Sequence, residues 1–310
     1  MKSERKLVQF KIESPTGTPA VPVPTVDALQ AIDFKWDSTA KPVTDEFKYA
    51  AGYYGAGDTF TVSLTRECSF VLPVMGGGMP LGTNYAAAIL ALYRACGHAA
   101  VVTPVTSVVF NPVSDAMESG TLVVHDDTLL RQMGFCRGNM KWVFAEGKVP
   151  RCMVSLLGTY STPADQAMPA ATLPALQKPV GFSKSNTVVT LGALSLKCSS
   201  VEIDAGRQNE YRNFANAEDI VPVDAQPQAT LKFELPTVAQ KNVYSELEGT
   251  LAQAMGLTHG QTPGNRFAAV APAAQLINLT EESDRGVLFV TASFRLKPVA
   301  GNDQYTLTLT

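Results

Sequence analysis

Short stretches of alternating apolar and polar residues recur along most of the chain, which is the signature of half-buried β-strands. Leu7-Val8-Gln9-Phe10-Lys11-Ile12 and Ala31-Ile32-Asp33-Phe34-Lys35-Trp36 open the series. Thr59-Phe60-Thr61-Val62-Ser63-Leu64-Thr65 then begins a strand–helix–strand unit that occurs twice. In the first copy a helix is predicted over residues 84–95, stopped by Gly97. Val101-Val102-Thr103-Pro104 and Gly120-Thr121-Leu122-Val123-Val124 follow it. In the second copy the strand is Ala229-Thr230-Leu231-Lys232-Phe233-Glu234-Leu235, and a helix is predicted over residues 244–255, stopped by Gly256. Ala269-Val270-Ala271-Pro272 and Gly286-Val287-Leu288-Phe289-Val290 complete the copy. The first helix is apolar almost all round and is expected to be buried on more than one side.

Between the copies the pattern yields two β-hairpin partners, Lys141-Trp142-Val143-Phe144-Ala145 and Cys152-Met153-Val154-Ser155-Leu156-Leu157, joined through Glu146-Gly147-Lys148. The fold class is therefore mainly β with a few helices, read as two tandem β-rich modules, each with a helix. The boundaries are residues 1–25 for an N-terminal arm, 26–160 for the first domain, 161–187 for a Pro/Ala-rich linker and 188–310 for the second domain. The arm contains Pro15, Pro19, Pro22 and Pro24, and proline cannot complete a hydrogen-bonded ladder. Residues 67–83, with Gly76-Gly77-Gly78-Met79-Pro80, form the longest irregular insertion in the first copy and are expected to be a flexible surface loop. The chain closes on Asn302-Asp303-Gln304-Tyr305 and a strand that runs to Thr310. An unpaired terminal strand is a pairing hazard, so it should join a sheet in its own chain or in a neighbour.

At 310 residues the chain has room for two ordinary domains. Its charged fraction is 17%, below the roughly 25% of an average domain, which points to surface covered by partners. A net charge of −3 leaves no basic face for tight nucleic-acid binding. The five cysteines, Cys68, Cys96, Cys136, Cys152 and Cys198, are scattered and odd in number, so buried reduced thiols are expected rather than a disulfide framework. The start of the chain is too short and polar for a signal peptide, and no apolar run reaches membrane-spanning length.

Candidate chemistry is sparse. His98 and His259 lie just past the helix-stopping glycines, where a helix dipole favours them. His125-Asp126-Asp127 is too contiguous for its side chains to converge on a metal. The glycine run lacks the Lys-Ser/Thr of a phosphate loop, and no Gly-x-Ser-x-Gly elbow occurs. Phe47, Tyr49, Tyr53 and Tyr54 are read as cross-strand packing in preference to a base- or sugar-stacking surface. No catalytic residue, metal site or cofactor is called for.

In the second half, Leu194-Ser195-Leu196-Lys197-Cys198 leads to Val201-Glu202-Ile203-Asp204-Ala205-Gly206. Glu210-Tyr211-Arg212-Asn213, Asp219-Ile220-Val221-Pro222-Val223 and the strand ending Phe233-Glu234-Leu235 follow, and the chain finishes with Ala300-Gly301-Asn302-Asp303-Gln304-Tyr305-Thr306-Leu307. This succession resembles the major tail tube protein of long-tailed, non-contractile bacteriophages. The resemblance covers residues 190–310 and, through the repeat, more weakly 26–160. It implies two tandem tail-tube-like β-sandwich or half-barrel domains, each flanked by a helix, in a non-enzymatic structural virion protein, made and assembled in the host cytoplasm, whose rings stack into a hollow tube that delivers DNA. With two tube domains per chain, three chains would make a pseudo-sixfold ring; a hexamer is the alternative. The implied partners are further copies, other tail proteins at the tube ends, and DNA passing without specific binding, with no membrane anchor. Assembly residues would lie in the arm (Pro15, Pro19, Pro22, Pro24), the insertion (Gly76, Gly77, Gly78, Met79, Pro80) and the C-terminal segment (Asn302, Asp303, Tyr305). The alternatives are a distal tail or tail-tip hub protein, or a carbohydrate- or host-surface-binding β-sandwich.

Overall fold

A computed structural model describes residues 5–50, 54–81 and 85–310. The chain is mainly β, with two α-helices among the described residues. In order, the first half contains β1 (Lys6–Ile12), β2 (Ala28–Leu29), β3 (Ile32–Phe47), β4 (Asp58–Pro73), α1 (Ala87–Ala95), β5 (His98–Thr103), β6 (Ser107–Pro112), β7 (Gly120–Asp126), β8 (Leu129–Ala145), β9 (Arg151–Tyr160) and β10 (Ala164–Asp165). The second half contains β11 (Thr187–Leu191), β12 (Leu194–Ser195), β13 (Cys198–Asp204), β14 (Arg207–Phe214), β15 (Ala217–Ala225), β16 (Gln228–Glu234), α2 (Val243–Gly249), β17 (Ala252–His259), β18 (Phe267–Asp284), β19 (Val287–Leu296) and β20 (Thr306–Leu309).

The two halves share one scheme of antiparallel pairing. β1–β2, β1–β7, β7–β8 and β8–β9 in the first half correspond to β11–β12, β11–β17, β17–β18 and β18–β19 in the second. β3–β4, β4–β9 and β8–β10 correspond to β13–β16, β16–β19 and β18–β20. The β5–β6 and β14–β15 hairpins are additions to one half each. Two ladders cross between the halves: β8 with β13, and β20 with β6.

Alternation explains how the strands pack. Met140, Trp142 and Phe144 of β8 are fully buried, while the residues between them are only partly covered. They continue across the sheet as rows; Phe144, Val201, Leu231, Ala292 and Leu279 are successive partners. A second layer containing β6, β17, β18 and β20 packs over these rows. Phe144 meets Phe267 at 5.5 Å between ring centroids, and Trp142 meets Tyr305 at 6.0 Å. Sheet on sheet around one apolar interior is the sandwich solution for half-buried strands.

Three expected elements differ. The second helix ends at Gly249, capped at its start by Asn242, whose side chain accepts from Ser245 N. The stretch predicted as its continuation is β17, with Met255, Leu257 and His259 buried and their neighbours less so. Pairing on both sides with β11 and β18 overrides the helix preference of Ala, Gln and Met. The first part of the irregular insertion, as far as Pro73, belongs to β4, where Cys68, Phe70 and Leu72 alternate into the core. Finally, the N-terminal arm is not one piece: residues 6–12 are β1, fully paired with β7. The first helix runs Ala87–Ala95 with Ala88, Ile89, Ala91, Leu92, Tyr93 and Ala95 buried. Its expected start, Asn84, lies outside the described residues.

Candidate assembly surfaces

The proline-rich segment lies against its own chain. Glu13 is 2% exposed. Its carboxylate accepts from Gly17 N at 3.0 Å, Thr121 Oγ1 at 2.8 Å and Phe135 N at 2.8 Å, and also from Ser119 Oγ. Further along, Ala20 N donates to Thr121 Oγ1 and Thr172 N to Pro24 O. Pro22 is buried and Pro24 half-buried, while Pro15 and Pro19 face solvent. Of the arm prolines, only those two are open to a neighbour.

The glycine run is a buried clasp, a correction to the flexible surface loop expected of it. Gly76, Gly77 and Gly78 are buried; Met79 and Pro80 are exposed. Gly76 N donates to Asn265 Oδ1 at 2.8 Å, Gly78 N to Gly264 O at 3.1 Å, and Gln177 N to Gly76 O at 2.9 Å. The first half is thereby tied to the linker and to the β17–β18 turn. Glycine is required because the backbones touch: a Cβ on Gly76 would stand 1.8 Å from Gly264 O.

At the C-terminus the three expected residues separate. Asp303 folds a tight loop, accepting from Val299 N, Ala300 N and Gly301 N. Asn302 Oδ1 accepts from Ser114 Oγ at 2.6 Å. Tyr305 is 2% exposed, so its ring is core and not contact surface. β20 pairs with β18 and β6, so the terminal strand is closed within its own sheet.

β3 stays paired with β4 as far as Phe47 and Asp58, beyond the strand read over residues 31–36, through residues that are exposed on both faces and so carry no alternation to read. The outer parts of β3 and β4 form a projecting hairpin with Val43, Phe47, Phe60 and Val62 exposed. Phe47 and Phe60 pack ring to ring at 5.3 Å, as cross-strand packing requires. Tyr49 and Tyr54 are exposed beside them, and Tyr53 lies outside the described residues. On the other sheet, β5, β6, β11, β17 and β20 contain no Asp, Glu, Lys or Arg at all. Val101, Val188 and Val270 stand exposed on these strands and on adjoining β18. These strands are mostly paired on both edges, so what they leave bare is an uncharged, β-branched sheet face, the kind of apolar surface that marks a contact site.

The titratable groups are mostly structural. Burial, with Arg207 nearby, pushes His98 down to about 3. His125 and His259 are lowered by burial as well. Burial raises all five thiols; Cys96 and Cys198 reach about 12, which leaves them unreactive. Among the described residues, no group of three or more His, Cys, Asp or Glu is placed to hold a metal. No described helix is long and apolar enough to cross a membrane. A groove of about 660 Å³ beside β1, β2 and β3 is lined mostly by apolar side chains such as Leu29, Ile32, Phe34 and Leu173, with Lys6 and Asp33 as its charged residues.

No model of a known protein family matches this sequence, and no curated protein matches it either.

Proposed function

We propose that this chain is a structural virion protein that polymerises as stacked rings into the hollow tail tube of a non-contractile bacteriophage. The observation that carries the reading is the duplicated pairing scheme joined edge to edge by the β8–β13 ladder. A unit that already accepts its twin along a strand edge is built for repetition. The charge-free strands and the projecting β3–β4 hairpin support it, since both are costly to leave bare in a monomer. The weak net charge of −3 suits a conduit that DNA traverses without being held. Three chains per ring, each giving two similar units, is the favoured stoichiometry.

The test is negative-stain electron microscopy of the concentrated protein across a range of salt. Hollow tubes with a regular axial repeat, and end-on views with three chains, are the expected result. Six chains per ring would sink the pseudo-sixfold arrangement. Small closed particles under every condition would move the assignment to a tail-tip component or a ligand-binding module.

A further inference from the structure

The matched pairings place β8 and β18 at the same position in the two halves, and likewise β3 and β13. One edge of β8 is covered by β7 over its first part and by β13 at residues 141–145. The corresponding edge of β18 begins the same way, with β17 covering residues 267–275. Beyond Gln275 that edge has no strand partner among the described residues, although β19 follows the other edge to Asp284. At the opposite end, β13 is paired on both sides, with β16 and β8. Its counterpart β3 is paired, among the described residues, with β4 alone. The chain thus contains one filled junction and both open halves of a second one.

We propose that residues 278–284 of β18 pair antiparallel with the outer edge of β3 in a second copy of this chain, repeating the β8–β13 junction between molecules. The strand sequence β3, β4, β9, β8, β13, β16, β19, β18 is already continuous within one chain. Adding β3 of the next copy after β18 extends it without a break. The contact is heterologous, so it closes into a ring when the rotation per copy divides the circle.

Charge supports the choice of edges. The filled junction is bridged by Lys141 of β8 and Glu202 of β13, 2.6 Å apart. On β18, Glu282 and Asp284 lie against Lys232 of the same chain, and on β3 Lys35 pairs with Asp37 and Lys41 with Glu67. Both lysine side chains are largely exposed, at 70% and 61%. Residues 278–284 carry three carboxylates, Glu281, Glu282 and Asp284, and no cation, which opposes β18 meeting β18, whereas residues 32–41 of β3 are balanced, with Asp33 and Asp37 beside Lys35 and Lys41.

This proposal rests on the self-assembly reading above, and the experiment separates the two. Single variants Asn278→Cys, Thr280→Cys and Glu282→Cys would each be mixed with Lys35→Cys or Asp37→Cys in the full chain, assembled, and oxidised mildly. The native thiols, four buried and Cys198 half-buried, give a low background. In at least one register the mixed pair should yield tenfold more disulfide-linked dimer than β3–β3 or β18–β18 controls. The matching double variant should give a ladder ending at the ring number. Tubes that form without any β18–β3 cross-link overturn the proposed junction and leave the tube reading standing. β18–β3 cross-links in small closed rings that never stack uphold the junction and overturn the tube. A chain that stays monomeric throughout overturns both.

Discussion

His98 Nε2 lies 2.8 Å from the hydroxyl of Tyr305, joining the end of α1 to the segment that leads into the last strand. The other ring nitrogen, Nδ1, is 3.1 Å from the Tyr93 carbonyl oxygen. A carbonyl only accepts, so Nδ1 carries the proton and Nε2 accepts from Tyr305. Both residues are enclosed by Trp142, whose Nε1 donates to the Tyr93 hydroxyl at 3.1 Å. Tyr305→Phe removes the donor and leaves His98 Nε2 buried without a partner. The expected cost is about 1–3 kcal/mol in urea unfolding. No change in stability would mean that the hydrogen bond does not form.

The same pair sets an acid limit. His98 is held down to about 3 by burial, with Arg207 adding repulsion. Unfolded, it titrates near its ordinary value of about 6.5. Between those values the unfolded chain binds a proton that the folded chain refuses. Stability therefore falls as pH drops through that window, by up to about 1.4 kcal/mol per pH unit. His98→Gln lacks this linkage. The stability gap between wild type and variant should narrow steadily from pH 7 to pH 4, read from urea midpoints. A constant gap would show that His98 is protonated in the fold or does not titrate in the window.

Gly76 tests the clasp between the halves. Gly76→Ala drives a Cβ into the Gly264 carbonyl, backbone against backbone, and should cost more than about 3 kcal/mol or prevent folding. Gly147 is the control. It sits at φ +68° in the β8–β9 turn with nothing within 4 Å of the added carbon. Gly147→Ala should cost only the left-handed strain, about 1–2 kcal/mol. Equal losses from the two, measured by thermal unfolding, would remove the close approach as the cause.

Period-2 alternation made the end of β8, β9, β16 and the terminal strand legible, because each has one face in the core and its pattern is local. Between residues 161 and 181 four prolines leave no period, and apart from β10 that stretch contains no helix or strand. What escaped was non-local. Ala252-Gln253-Ala254-Met255 has the composition of a helix, and only two flanking strands make it β17. The glycine run looks like a loose loop unless Gly264 and Asn265 are seen against it. Tyr305 reads as a surface tyrosine until His98 and Trp142 enclose it. Open strand edges carry no residue signature of their own, so the β3 and β18 edges emerge only from the pairing scheme.

The projecting hairpin gives the last prediction. Val43 and Val62 stand 45% and 65% exposed on the outer parts of β3 and β4, so neither contributes much to the chain's own core. Replacing both, Val43→Lys with Val62→Lys, should change unfolding stability by no more than about 0.5 kcal/mol per site. Assembly should respond quite differently. Two added charges on apolar surface that another subunit must desolvate would suppress polymerisation, since an unpaired buried charge costs several kcal/mol. Sedimentation at matched concentration should show wild type in large particles and the variant as small species with an unaltered melting curve. Undiminished polymer would exclude the hairpin from subunit contacts. A large loss of stability would instead mean that these valines pack within their own chain.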